Sequence, residues 1–240
     1  MQLDEKWSFV GKKQKHCDPR DERDWFRGDQ WDHVAFDPDS RLVLEVVVGK
    51  RLDTTAAVLL EGLKGRLGDE PPALVTSDGY AAYEEALLGL FGREVTPPRT
   101  GKPGRPAGPR LEPPAGMCYG RLTKRRGKGR LEHVEAEVVF GEPPEGETIS
   151  TSYLERHHAT DRHRNARKGR KGYRFSKDWE THEALTTFTM YSYNFCWAVR
   201  TLRQEVAPQC YRARTPAMAA GLADHVWSLE EWLTLPAVQH

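Results

Sequence analysis

The residues best suited to chemistry are three carboxylates in three settings: Asp4 in LDEKWSFVG, Asp78 in ALVTSDGYAAY and Glu155 in SYLERHHATDR. Asp4 follows the start of an extended run, Asp78 follows the apolar run 73–75, and Glu155 opens a segment crowded with arginine and histidine. Two strand carboxylates and one helix carboxylate, gathered by a fold, make a site for hard divalent cations. Magnesium takes oxygen ligands, keeps several waters and is typically held by a few carboxylates plus substrate phosphates. That set is the minimum for two-metal phosphodiester chemistry.

Each acid also has a structural role open to it. Glu155 stands three residues after Ser152, where it would complete a capping box. An SDG sequence is a common turn in which the aspartate bonds nearby amides. Asp4 has a rival in Glu5, because strand neighbours face opposite sides and only one would point into a given site. On a helix, Glu155 and Arg162 are seven residues apart and share a side, with His158 and Ala159 between them.

The elements that must position these acids read as follows. Residues 2–16, 31–36 and 41–48 form three successive strands, the last two joined by the DPDS turn at 37–40. Residues 54–67 carry apolar side chains at helical spacing (Ala56, Leu59, Leu60, Leu63, Leu67), with Asp53 or Thr54 as N-cap. A short buried strand at 73–76 and a helix at 80–90 follow, leaving Asp78 at the strand's end. Residues 96–114 are punctuated by proline and glycine and read as an exposed linker. Residues 117–123 and 131–140 pair as a hairpin. Ser150, Thr151 and Ser152 all suit the N-cap of the helix bearing Glu155. Leu185, Phe188, Tyr191, Phe195, Val199 and Leu202 form the stripe of a long amphipathic helix expected to cover one sheet face. A meander, a helix, a strand and more helices make a mixed α/β layer.

Composition narrows the classes. At 240 residues, with 38% hydrophobic and 30% charged residues, the chain suits one core with an insertion. No apolar run reaches the roughly 18 residues of a membrane span, and the N-terminus has no apolar signal stretch. Cys17, Cys118, Cys196 and Cys210 form no CxxC pair, which argues against zinc and a disulfide framework. The nine histidines lack zincin spacing. Asp24, Asp29, Asp32, Asp37 and Asp39 lack the glycine and terminal glutamate of an EF-hand and read as solvated loops.

Net charge is only +1, but it is polarised. Residues 156–177 hold nine Lys/Arg against Asp161 alone, and residues 121–130 hold six with no acid. Clustered positive charge beside carboxylates suits a polyanionic substrate, since phosphate contacts supply most of its affinity. For 121–130 a solvated hairpin turn is the competing reading.

The wording DEKWSFVG, SDGYAAYEEAL and YLERHHATDRHRNARKGRKGYRFSKDWETH resembles the three blocks of InsB-like insertion-sequence transposases of the DDE class. The resemblance is strongest at residues 3–11, 74–88 and 153–205 and weakens at about 97–147, read as a Pro/Gly-rich β-hairpin insertion before the third-acid helix. The tail TPAMAAGLADHVWSLEEWL is similar to the family's closing segment. The resemblance implies one RNase H-like catalytic domain over 1–240, a mixed sheet flanked by helices. It further implies a DNA strand-cutting and strand-joining activity with Asp4, Asp78 and Glu155 holding two Mg2+ ions, for which Mn2+ may substitute. Arg162, Arg156 and His157 would steady the scissile phosphate, and Arg164, Arg167, Lys168, Arg170, Lys171, Arg174 and Lys177 would track the DNA backbone. His158 stands where many relatives have asparagine. Relatives usually carry an upstream DNA-recognition segment; this chain starts three residues before its first acid, so that segment is expected to be absent or supplied separately or by frameshift fusion. The expected partners are element-end and target DNA and further copies of the chain, in a prokaryotic cytoplasm at the nucleoid. A nuclease that cuts without joining, and a non-catalytic DNA-binding regulator, are the alternatives.

Overall fold

The computed structural model describes residues 1–68, 70–98, 108–127, 130–169 and 172–235. The chain opens with β1 (Gln2–Val10), β2 (Gly28–Phe36) and β3 (Val43–Gly49), then α1 (Asp53–Leu67), β4 (Leu74–Asp78) and α2 (Ala82–Phe91). Short strands β5 (Arg93–Val95) and β6 (Arg110–Glu112) pair with each other. β7 (Cys118–Gly127), β8 (Arg130–Phe140), α3 (Ser152–Arg164) and α4 (Trp179–Cys196) follow. A ribbon of β9 (Gln204–Ala207) and β10 (Cys210–Arg212) and the short helices α5 (Pro216–Ala219) and α6 (Leu229–Thr234) close it.

The main sheet has six strands in the order β3-β2-β1-β4-β7-β8. β1, β2 and β3 are antiparallel, β4 runs parallel to both β1 and β7, and β8 returns antiparallel to β7. The fold is therefore α/β with a mixed sheet flanked by helices. Leu59, Leu60 and Leu63 of α1 pack with Tyr83 and Leu87 of α2 on Leu3, Val75 and Tyr119 of one sheet face. Leu154 of α3 and Met190 and Tyr193 of α4 pack on Val34, Phe36, Val43 and Val46 of the other. Truncating any of the fully buried leucines to alanine would cost about 2–5 kcal/mol. Among the described residues no helix is long and apolar enough to cross a membrane.

Several boundaries differ from the sequence reading, each for a local reason. β1 stops at Val10 because Gly11 takes a positive φ of 69° and its N–H bonds Ser176 O; a single-turn helix covers Gln14–His16. α1 has Leu52 at its N-cap with no side-chain cap, so Asp53 is the first helical residue. The capping box at Glu155 does not form: Thr151 is the N-cap, and its hydroxyl donates to Glu155 Oε1 at 2.7 Å.

Two features reach further. The 97–147 stretch, read as an insertion, supplies β7 and β8 to the main sheet, with β7 the parallel partner of β4. Residues 99–107 within it lie outside the described residues. The expected stripe divides: Tyr191 and Val199 pack against the β2–β3 core cluster, while His182, Thr186, Met190, Tyr193 and Asn194 are the buried side of α4. Asn194 pairs with both backbone groups of Val43, at 2.9 and 2.8 Å, so α4 docks on edge strand β3 through polar bonds. Phe188 and Phe195 instead pack against Trp232 and Trp227 of the C-terminal segment, with ring centroids 5.3 and 4.6 Å apart. Val199 and Leu202 lie beyond the end of α4.

Candidate active site

The β1–β4 ladder is short, pairing Gln2 with Thr76 and Leu3 with Ser77. Past that point the ladder ends: Asp78 closes β4, and Asp4, the third residue of β1, stands beside it. Ligands of open α/β sheets bind in crevices beyond the carboxyl ends of strands. A cavity of about 370 Å³ opens here, lined by Asp4, Asp78, Gly79, Leu122, Thr123, Lys124 and Glu155. All three acids singled out from the sequence thus border one cleft.

The tightest grouping of acids is different from the expected one. Single oxygens of Asp4, Glu5 and Asp78 lie within 4.8 Å of one another. Glu5 does face the opposite side of β1 from Asp4, as alternation requires, yet its carboxylate reaches the two aspartates from that side because the ladder with β4 has ended. The Glu5 side chain is 1% exposed, with the hydroxyl of buried Tyr83 bearing on its carboxylate. Burial, reinforced by Asp78, pushes Glu5 up to about 7, and burial with Asp4 nearby raises Asp78. Buried Tyr83 is pushed well above its ordinary value by burial and by Glu5.

Protein cations hold this charge in place. The Arg51 guanidinium lies 3.1 Å from Glu5 and 4.0 Å from Asp78, clamped over the rings of Tyr80 and Trp31. On the far wall the Lys124 ammonium of β7 pairs with Glu155. His158 places Nδ1 3.3 Å from Asp4 Oδ2. A donor set made wholly of carboxylate oxygens fits a hard cation such as magnesium.

Beneath the cleft lies a buried charge network. Lys6 Nζ is 3.0 Å from Asp32 and pairs with Asp161 of α3, while Lys168 pairs with Asp32 and Thr189 donates to Asp161 at 3.0 Å. Burial opposes ionisation of both aspartates, but Lys168 and Lys6 hold Asp32 well below the usual range, and Lys6 and Lys168 lower Asp161. Lys6 lies two residues from Asp4 on one strand face, and Asp161 lies on the helix that carries His158 and Glu155. The network therefore fixes how α3 approaches β1. Asp32 is fully buried, so reading it with the solvated loops is corrected; Asp24 is likewise buried, 2.6 Å from Lys12.

The expected DNA-facing residues divide. His157 is buried against Phe36 and Tyr193, and burial pushes it down to about 3; it is a core residue, not a phosphate ligand. Lys168 is committed to Asp32 and enclosed. Arg164 stacks over Trp197, 4.5 Å from the ring centre. Arg156 borders a separate cavity with Arg41 and Tyr153, and Arg167 borders another with Trp7 and Phe9. Arg174 and Lys177 are exposed, and Arg170 and Lys171 lie outside the described residues. Arg162, half-buried on α3, is not among the residues lining the carboxylate cleft.

Four residues of the site were missed. Glu5 was set aside by strand alternation, and Lys124 was hidden in a basic run that also read as a turn. His158 had a partial signal, its spacing from Glu155 on one helix. Arg51, between β3 and α1, had none. Compared with known proteins, the chain matches no protein-family model and no curated sequence.

Proposed function

We propose that this chain is the catalytic domain of a DDE-class DNA transposase of the InsB-like kind, cutting and joining phosphodiester bonds at the ends of an insertion sequence. The observation that carries this reading is that Asp4, Asp78 and Glu155, remote in sequence, border one cleft beside the adjacent parallel strands β1 and β4. The sheet order supports it: an antiparallel meander, a strand added parallel beyond the first, and helices on both faces are compatible with an RNase H-like layout.

Asp4, Glu5 and Asp78 would hold the cation, with Glu155 at the cleft's border; two Mg2+ ions are proposed, replaceable by Mn2+. A bound hard cation supplies activation of an attacking oxygen and neutralisation of charge on the phosphate. The chain's own groups do the remaining work. Arg51 offsets repulsion between Glu5 and Asp78, and His158 orients Asp4. Lys124 offers a cation to a phosphate entering the cleft, while exposed Arg174 and Lys177 suit contacts to the DNA backbone that position without reading sequence. DNA and further copies of the chain are the partners in this proposal.

The test is cleavage and strand transfer on element-end DNA with magnesium or manganese, comparing the wild type with Asp78→Asn and Glu155→Gln. Joined products are expected from the wild type alone. A wild type that cuts but cannot use a DNA 3'-hydroxyl would point to a nuclease. DNA binding without cutting, unchanged in both variants, would sink the enzymatic reading.

A further inference from the structure

The second feature of β1 lies at its other end. A cavity of about 540 Å³ is lined there by Trp7, Phe9, Tyr173 and Phe175, with Lys13 and Arg167, and none of its lining residues is acidic. The rings form a ladder: Trp7 and Phe9 have centroids 5.8 Å apart at 32°, and Phe9 and Phe175 are 4.7 Å apart at 31°. The Lys177 ammonium lies over the Phe175 face, and Tyr173 is 95% exposed. These aromatics belong to neither of the two core clusters. Trp7, Phe9 and Phe175 are half-buried on one another, while Tyr173 stands open beside the cations, which core packing does not explain.

We infer that this pocket takes unpaired bases of single-stranded DNA. Single-strand binders combine a positively charged groove with aromatic side chains on which bases stack, because every base offers a π face. A duplex keeps those faces stacked inside itself and would meet only the cations. The pocket and the carboxylate cleft lie along the same strand. After Leu3 leaves Ser77, and until Val10 meets Ser176, β1 has β2 on one side and no strand on the other among the described residues. Asp4 stands toward one end of this unpaired stretch and the aromatic ladder toward the other, with Trp7 three residues beyond Asp4, roughly 10 Å at about 3.3 Å per residue. Lys13 and Arg167 meet the phosphates of the bound strand.

This inference goes beyond the proposed function and shares with it only the premise that the chain meets DNA. The experiment is fluorescence anisotropy of the full chain in EDTA, so that no cleavage enters the readout. The probes are a labelled oligothymidylate and a blunt hairpin duplex with the same number of phosphates. The single strand should bind at least about tenfold tighter than the duplex, and Tyr173→Ala and Trp7→Leu should each weaken it about tenfold while leaving the duplex unchanged. Tyr173 is exposed enough that its variant keeps the fold, which separates lost stacking from lost structure. Equal binding of both probes, wild-type affinity in both variants, or equal displacement of the oligonucleotide by polyglutamate of matched charge would each overturn the proposal. A chain that binds the single strand this way yet never cuts DNA would keep this inference and lose the transposase reading.

Discussion

Lys124 on β7 pairs its ammonium with the carboxylate of Glu155 on α3, spanning the mouth of the cleft that Asp4 and Asp78 floor. Both side chains are partly exposed, so the pair contributes at most about 1 kcal/mol to stability. Its worth lies with what enters the cleft. Lys124→Ala should leave urea unfolding nearly unchanged, weaken DNA binding across sequences, and reduce the slope of log affinity against log salt by about 1. An unchanged slope would show that Lys124 meets no phosphate.

His158 touches Asp4 and tests the site from the helix side. Removing a partner that orients a ligand typically costs about 10–100-fold in metal affinity or activity. His158→Ala should show such a loss in a magnesium titration followed by thermal shift. His158→Asn retains a hydrogen-bond donor and should recover much of it, whereas a purely packing role would leave the two variants alike.

The buried network predicts a stability effect remote from any ligand. Lys6→Met leaves Asp32 and Asp161 buried with one cation fewer, and breaking a buried pair costs about 3–5 kcal/mol. Denaturant unfolding should report that loss. Asp161→Asn should fall in the same range, and the double variant should cost less than the sum of the two, because the residues share one network.

Glu5 predicts how the metal-free protein responds to pH. Its folded pKa is raised by burial, and then by Asp78, from 4.5 to about 7, so the folded state binds a proton that the unfolded state has released in that range. Stability associated with this group is full below about pH 4.5 and is lost as pH rises through about 7, by up to about 3 kcal/mol. Glu5→Gln should flatten that fall in a urea series across the window. The same proton must leave when a cation binds, so the stabilisation given by magnesium should grow with pH over this range.

Much of the architecture was legible because it follows from local periodicity. The leucines of α1 and α2, the alternating strands β7 and β8 and the turn before β3 all announce themselves at periods of 3.6 or 2. Where the reading failed, a residue's partner was far away in sequence. The α4 stripe was assigned whole to the sheet because apolar spacing shows which residues share a face, not what covers it; Tyr191 does pack on the sheet, but Trp232 and Trp227 cover Phe188 and Phe195. Asp32 read as solvated because nothing near it in sequence reveals Lys6 and Lys168. That the first strand of the hairpin pairs with β4 was likewise invisible, because the proline and glycine before it look like a linker.

The sequence by itself determined the kinds of groups available: three acids in settings that could converge, basic runs beside one of them, and periodic elements able to carry them. Residue type and spacing fix chemistry and local conformation, so these were readable one segment at a time. Only the tertiary structure decided which oxygens meet. The early end of the β1–β4 ladder brings Glu5 in beside Asp4 and Asp78, and the Lys6–Asp161 pair sets α3 so that His158 reaches Asp4 and Glu155 meets Lys124. Those relations depend on where the ladder ends and how a helix crosses the strands, and both are set by long-range packing that no single stretch of sequence encodes.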